Sequence, residues 1–408
     1  MEYPRLRNVE IFPLKDEGGK PLICLRDPLR FTEEALLLPY HSILIISLLD
    51  GRHSLRDIQA EYMRKHGELI YLDAIEKLIE ELNNRLLLDN EHFQEHRRRI
   101  EEDFSRSPVR AAAHAGMSYE ADPEKLRSQL EGFFLSFGES NGADRGSTKP
   151  VKGVVAPHID LKAGGPCFAY AYREIKRWTH ADLFVIFGTS HYEAEGLYSL
   201  TPKDYETPLG IVRTDKELVN KVAKSQGDGS LLRDSAHRLE HSIEFQVIFL
   251  QHIFAGEREF SIVPVLCSSF HEMIISGASP AENPSVSGFV ETLKDTLSSS
   301  KRETCMIAGA DLSHIGLRYG DPFPPSLGFL KEVEAEDLSM LKCAGNIDAE
   351  GFYRSVQRDR DRRRICGLTP IYTLLKVIEA ERGKVLKYDW WKDVNDSSAV
   401  SFTSMVFY

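Results

Sequence analysis

No apolar run in this 408-residue chain approaches the roughly 20 residues needed to cross a bilayer, which excludes a membrane-spanning helix. Cysteine is sparse. Its six copies, at positions 24, 167, 267, 305, 343 and 366, show no C-x-x-C spacing, which argues against a disulfide framework and against a structural zinc knot. Positive charge is in deficit: a net charge of -11 disfavours a general nucleic-acid-binding surface. The opening stretch MEYPRLRNVEIFPLKDEGGK has charges throughout and no apolar core like that of a signal peptide, so the expected location is the cytoplasm. There is no repeat of solenoid period and no H-E-x-x-H, which removes the zincin mechanism. What is present is the composition of a globular protein, 42% hydrophobic and 28% charged, in a chain long enough to predict two or more domains.

Residues 1 to about 95 read as a small unit. Strand-like NVEIFPL and PLICLRDPL precede helical periodicity in ALLLPYHSILIISLLDG and LDAIEKLIEELNNRLLLDN. Between the latter two, Ser54 with Asp57 predicts an N-cap with an acidic first turn, and Gly67 a C-terminal stop. This order is that of a winged helix. The stretch LLDGRHSLRDIQAEY followed by LDAIEKLIEELNNRLLLDN resembles the PqqD-type peptide-recognition domains, a likeness that implies a peptide partner added at a sheet edge. A packing appendage without a ligand is the alternative. Residues 96–150 read as a helical linker. HRRRIEEDF is a solvated helix face rather than a phosphate patch, and the polar ESNGADRGSTKP is a loop before the next strand.

From 151 to 408, apolar runs (VKGVVAP, ADLFVIFG, FSIVPVLC, TCMIAGA) alternate with helical segments such as FAYAYREIKRW, ELVNKVAK, HSIEFQVIFLQHIF and SVSGFVETLKDTLSS. Near-continuous apolar strands are expected where both sheet faces are covered, so this is an α/β domain with a largely parallel central sheet. Three of its segments share one design, a buried strand ending in a histidine: VVAPH at His158, LFVIFGTSH at His191 and CMIAGADLSH at His314. Ligands gather outside the carboxyl ends of strands in open α/β sheets, so these histidines predict a site.

Each element could also serve structure alone, and the weight comes from their number. His158 follows Pro157 and precedes Gly164-Gly165, a pair that would let the chain pass close to an occupant; a lone core histidine is the alternative. His191 follows the small residues Gly188, Thr189 and Ser190, and with His158 makes half of a site suited to iron, copper, nickel or zinc. Asp311, three before His314, suits a role orienting a histidine, acting as a general base, or simply capping a turn. His241 and Glu244 share a helical face, and a position near the helix start makes His241 a substrate or proton-transfer residue rather than a metal ligand; a surface pair is the competing reading. Cys366 sits before a helix near Arg362, Arg363 and Arg364, where a thiolate would be favoured; alone it reads as a buried inert cysteine, and beside two strand-end histidines an assembled His/His/Cys site is the sharper reading.

Together PHIDLKAGGPCFAYAY, GTSHY, TPLGIVRTD, LEHSIEFQVIFL, GADLSHIG, ICGLTPI and DSSAVSF resemble the Memo family, over roughly residues 150 to 408. The resemblance extends to component B of the AmmeMemoRadiSam system and implies AMMECR-type and radical-SAM partner proteins. It also implies a fold like that of class III extradiol dioxygenases, with a cysteine where those enzymes present a carboxylate ligand. By motif, His158, His191 and Cys366 correspond to metal ligands for iron or copper, with zinc a further option. His241, Asp311 and His314 correspond to the catalytic or pocket residues. One departure, ADLSH for variants of SDFCH, keeps the aspartate and the histidine. The leading expectation is a metal-dependent, dioxygenase-like oxidoreductase. The alternatives are a peptide- or partner-binding scaffold on the same fold, and a thiol hydrolase with Cys366 as nucleophile.

Overall fold

The computed structural model describes residues 2–135, 149–192, 196–225 and 231–408. It divides into two compact units, Met1–Arg106 and Ser107–Tyr408. The polar stretch 139–150, read as a loop from its composition, lies almost wholly outside the described residues.

The first unit contains β1 (Glu10–Lys15), β2 (Pro21–Arg26), β3 (Leu36–Pro39), α1 (Ile43–Ser47), α2 (Leu55–His66), α3 (Leu72–Asn84) and α4 (Glu91–Arg106). The strands form an antiparallel sheet in the order β1-β2-β3. The start of ALLLPYHSILIISLLDG is β3 rather than helix: Leu36 and Leu38 point inward and Leu37 outward, a period of two that its uninterrupted apolar composition conceals. Ser54 and Asp57 form the expected capping box on α2, and Gly67 ends it at φ 69°. The amphipathic face of α3, through Ile75, Ile79 and Leu82, packs with Ile58 of α2 and with Ile23 and Leu25 of β2 into one core.

The second unit begins with β4 (Val109–Arg110), α5 (Pro123–Leu135), β5 (Gly153–Ala156), α6 (Leu161–Trp178), β6 (Leu183–Thr189), β7 (Tyr198–Leu200), β8 (Asp204–Thr207) and β9 (Gly210–Thr214). Then follow α7 (Lys216–Ser225), α8 (Asp234–His237), α9 (His241–Phe254), β10 (Ser261–Cys267), α10 (His271–Ser276), α11 (Pro284–Ser300), β11 (Thr304–Gly309) and β12 (Asp311–Gly316). The unit closes with α12 (Leu327–Gly345), α13 (Ala349–Gln357), α14 (Leu368–Val377), β13 (Gly383–Lys392) and β14 (Ser398–Phe407). The segment read as a helical linker thus ends one unit with α4 and opens the other with β4 and α5.

One large sheet runs β12-β14-β5-β11-β6-β10-β9-β8-β4. Its centre, β5, β11, β6, β10 and β9, is parallel, and the β14 hairpin with β13 and β12 is antiparallel. Both faces are covered. On β6, Leu183, Val185 and Phe187 face one core with α7, α11 and α14, whereas Phe184 and Ile186 face the other with α6 and α9. Strict alternation between two apolar layers explains why the runs look continuous in sequence. Each fully buried side chain of this kind contributes about 1.5–3 kcal/mol, so strand register is strongly determined.

Candidate functional site

Three strands end in one row. Gly309 of β11 pairs with Ala156 of β5 on one side and with Gly188 of β6 on the other. His158 and Asp311 stand two residues beyond this row and His191 three, so all leave the sheet at the same edge. β5 and β6 are not neighbours, since β11 lies between them, yet the rings of His158 and His191 sit 4.9 Å apart. The two glycines explain how a helix closes over the row. A methyl group on Gly188 would fall 2.5 Å from Ser242 Oγ, and one on Gly309 would fall 2.6 Å from the Ser242 carbonyl. The bare backbone admits the first turn of α9, which brings Glu240 and His241 to the strand ends.

His241 completes a cluster. Its ring lies 4.7 Å from that of His191 and 5.4 Å from that of His158. One ring nitrogen from each of the three lies within 4.8 Å of the others, which makes His158, His191 and His241 a group able to hold a metal ion. His158 Nδ1 lies 2.9 Å from the Gly309 carbonyl, and His191 Nδ1 lies 3.1 Å from Glu240 Oε1. His241 Nδ1 is 3.3 Å from the same oxygen. Carbonyls and carboxylates only accept, so Nδ1 of His158 and of His191 is the donor in these two hydrogen bonds, which leaves His158 Nε2 a lone pair for an ion, while His241 Nδ1 stands at ion-pair distance from the carboxylate. His158 is almost fully buried, while the His191 side chain is 34% exposed and leaves the cluster open to a small molecule.

Cys366 approaches from the other side. The 363–367 segment lies along β12, with the His314 N–H on the Arg363 carbonyl at 2.7 Å and the Gly367 N–H on the Asp311 carbonyl at 3.0 Å. This sets Cys366 Sγ 3.4 Å from His158 Nε2. Two donors bound tetrahedrally to one ion at about 2.1 and 2.3 Å would stand about 3.6 Å apart, close to the separation found. The donor set therefore fits a transition metal, although Cys366 is not one of the three mutually close residues.

The arginines expected to activate this thiol do not serve it. Arg362 pairs with Glu332 and Glu336, Arg363 with buried Asp337, and Arg364 with Asp321. Burial, and then the field of Asp311, push the Cys366 thiol well above its ordinary range. Without a cation it stays neutral, which counts against a free thiolate nucleophile.

Electrostatics divide the histidines. Burial, reinforced by His191, pushes His158 down to about 3, and burial also keeps His241 neutral. Burial opposes charge on His191 too, but the Glu240 carboxylate outweighs it and raises the imidazole. Asp311 accepts the His158 main-chain N–H at 3.0 Å, and burial lifts its carboxyl to about 6. His314 is the exception to the strand-end design. β11 stops at Gly309 and the chain turns into β12, so His314 lies inside an antiparallel strand and packs edge-on against Tyr319 at 5.0 Å. It stands in the field of Asp311, where burial lowers its pKa.

Other expectations need correction. Gly164 and Gly165 lie inside α6 and serve packing: added methyl groups would meet Ile159 and Phe133, both at 2.5 Å. Glu244 does not form a surface pair with His241. It is fully buried and ion-paired with Arg110, and it also accepts from the Tyr119 hydroxyl and from the main-chain N–H groups of Ala113 and His114, the last two at 3.0 Å. Arg110 in turn donates to the His237 and Glu240 carbonyls at 3.0 and 2.7 Å, gripping the turn that carries the site. Sequence reasoning missed Glu240 and Arg110. For Glu240 the signal was available, a carboxylate directly before His241 at a helix start; for Arg110, some 130 residues away, there was none.

The profile of the Memo-like proteins matches residues 110–406. A MEMO1 family protein of Aquifex aeolicus is 29% identical over 407 residues, covering 98% of this chain and 99% of the relative. A MEMO1 family protein of Methanopyrus kandleri is 29% identical over 73% of this chain and 98% of its own length. One from Sulfolobus acidocaldarius is 29% identical over 73% of this chain and 99% of its own length. The profile covers nearly all of the second unit, including every residue of the site, and the chain belongs to the Memo family.

Proposed function

We propose that the strand-end cluster is a redox-active metal centre for iron or copper, acting on a small-molecule or protein substrate. The observation that carries this reading is the convergence of three imidazoles, two of them with Nδ1 hydrogen-bonded, on a point flanked by Cys366 Sγ 3.4 Å from His158. His158, His191 and His241 would hold the ion through nitrogen, and Cys366 would supply a soft sulfur donor. Such a metal, when bound, offers one-electron chemistry and a Lewis acid that substrate can reach through open coordination positions. The neutral Cys366 thiol would have to give up its proton to act as a donor, so metal uptake should release protons. Asp311, titrating at about 6, and His314 beside it would exchange protons with substrate. The 34% exposure of the His191 side chain supports entry of substrate from that side.

The test is metal analysis of aerobic and anaerobic preparations of the wild type, His158→Ala, His241→Ala and Cys366→Ser. The expected result is loss of metal in both histidine variants. Cys366→Ser should lose the sulfur-to-metal charge-transfer absorption and weaken binding. Unchanged metal content in His158→Ala and Cys366→Ser would refute the proposal. The AMMECR-type and radical-SAM proteins implied by the family resemblance belong to the same proposal, and co-purification with tagged full-length chain tests that part.

A further inference from the structure

We infer that Glu240 is the positioning residue of this centre, one carboxylate that orients two of its three imidazoles at once. The inference rests on the metal reading and deepens it. Glu240 is 1% exposed and sits at the N-cap of α9. Its Oε1 accepts the Ser242 main-chain N–H at 3.0 Å, and its Oε2 accepts the His191 main-chain N–H at 2.9 Å. One donor belongs to the helix and the other to the loop after β6, so the carboxylate ties the two elements together. Against this fixed group lie His191 Nδ1, at 3.1 and 3.2 Å from the two oxygens, and His241 Nδ1, at 3.3 Å from Oε1. The main chain of the same residue is held by Arg110, whose Nη2 donates to the Glu240 carbonyl at 2.7 Å. His158 has separate support, the Gly309 carbonyl. Glu240 therefore governs His191 and His241 as a pair and leaves His158 alone.

The groups hydrogen-bonded to the carboxylate, the main-chain N–H of Ser242 and of His191 and the His191 Nδ1, are all donors. A carboxylate accepts at both oxygens, whereas an amide accepts at one atom and donates at the other. Glu240→Gln must set an N–H against the main-chain N–H of either Ser242 or His191, and it cannot serve both imidazoles. A ligand histidine released from its carboxylate loses tautomer and orientation together, an effect that typically weakens metal affinity by about 10–100-fold. Glu240→Asp keeps two acceptor oxygens on a stem one methylene shorter.

The experiment titrates the full-length wild type, Glu240→Gln and Glu240→Asp with Co(II) and Cu(II) against a competing chelator, recording the visible spectrum of the Co(II) form. Tryptophan fluorescence checks folding. The expected result is a roughly 10–100-fold weaker affinity and a shifted ligand-field spectrum for Glu240→Gln, with partial recovery in Glu240→Asp. Wild-type affinity and spectrum in Glu240→Gln would overturn the inference. Failure of the wild type to bind either ion would refute the metal reading and this inference with it. A second measurement needs no variant: nitrogen-15 shifts of labelled histidines in the metal-free wild type should report protonated Nδ1 on both His191 and His241. An Nδ1 lacking its proton on either residue would overturn the inference whether or not the metal reading holds.

Discussion

Removing Arg110 should destabilise the second unit through charge rather than through lost volume. Arg110 and Glu244 are both fully buried and paired, and no other cation is hydrogen-bonded to the Glu244 carboxylate among the described residues. Arg110→Met keeps much of the side-chain volume but leaves a buried carboxylate uncompensated, which costs about 3–5 kcal/mol. It also strips the His237 and Glu240 carbonyls of a donor, at about 1–3 kcal/mol for each one left unsatisfied. The double variant Arg110→Met/Glu244→Gln removes the orphaned charge while its side-chain oxygen still accepts from Ala113 or His114. It should recover about 2–3 kcal/mol, because the residual loss is then confined to the carbonyls. Urea unfolding followed by tryptophan fluorescence isolates this unit, because Trp178, Trp390 and Trp391, the three tryptophans of the chain, all lie within it. A loss below about 1 kcal/mol in Arg110→Met, or a double variant no more stable than the single one, would refute the assignment of this pair.

The same carboxylate sets an acid limit. Burial alone would raise Glu244, but the Arg110 guanidinium outweighs it and holds the folded-state pKa below the ordinary value. Its stability contribution is present above the unfolded glutamate pKa and is lost as pH falls through the folded one. Urea midpoints of the wild type should therefore fall below about pH 4.3 more steeply than those of the double variant; parallel profiles would contradict this. Gly309→Ala should cost about 1–3 kcal/mol by overpacking against the Ser242 carbonyl. It should also weaken metal uptake by displacing the start of α9, and a variant with wild-type Tm and affinity would show that the approach of α9 is not tight. In metal-free protein at pH 7.5, Cys366 should alkylate slowly, because burial keeps the thiol neutral. Modification detected by mass spectrometry at the rate of a small-molecule thiol would contradict that burial.

Most of the central fold was legible because two-sided burial writes long apolar runs, and little besides a buried strand or a buried helix produces them. β5, β6, β10 and β11, the helices α6, α9 and α11, and the capping box of α2 all follow from local pattern. β3 was missed because a four-residue apolar strand and the start of a buried helix look alike in sequence. His158 and His191 were legible through their strands. His314 was misplaced because Gly309-Ala310 turns the chain within an apolar stretch, and no polar punctuation marks that turn.

Sequence alone determined which residue types could do chemistry here, and that the histidines after β5 and β6 would emerge at the carboxyl edge of a parallel sheet. Only the tertiary structure decided their company. The glycine row across β6 and β11 lets α9 settle over the strand ends, which brings His241, expected to serve substrate or proton transfer rather than a metal, into the imidazole cluster. Long-range pairing also turned Arg362, Arg363 and Arg364 away from Cys366 and set Arg110 against Glu244. Charge pairing and close backbone approach depend on distances between residues far apart in sequence. Composition and periodicity report the surroundings of one element at a time, so they carry no record of those distances.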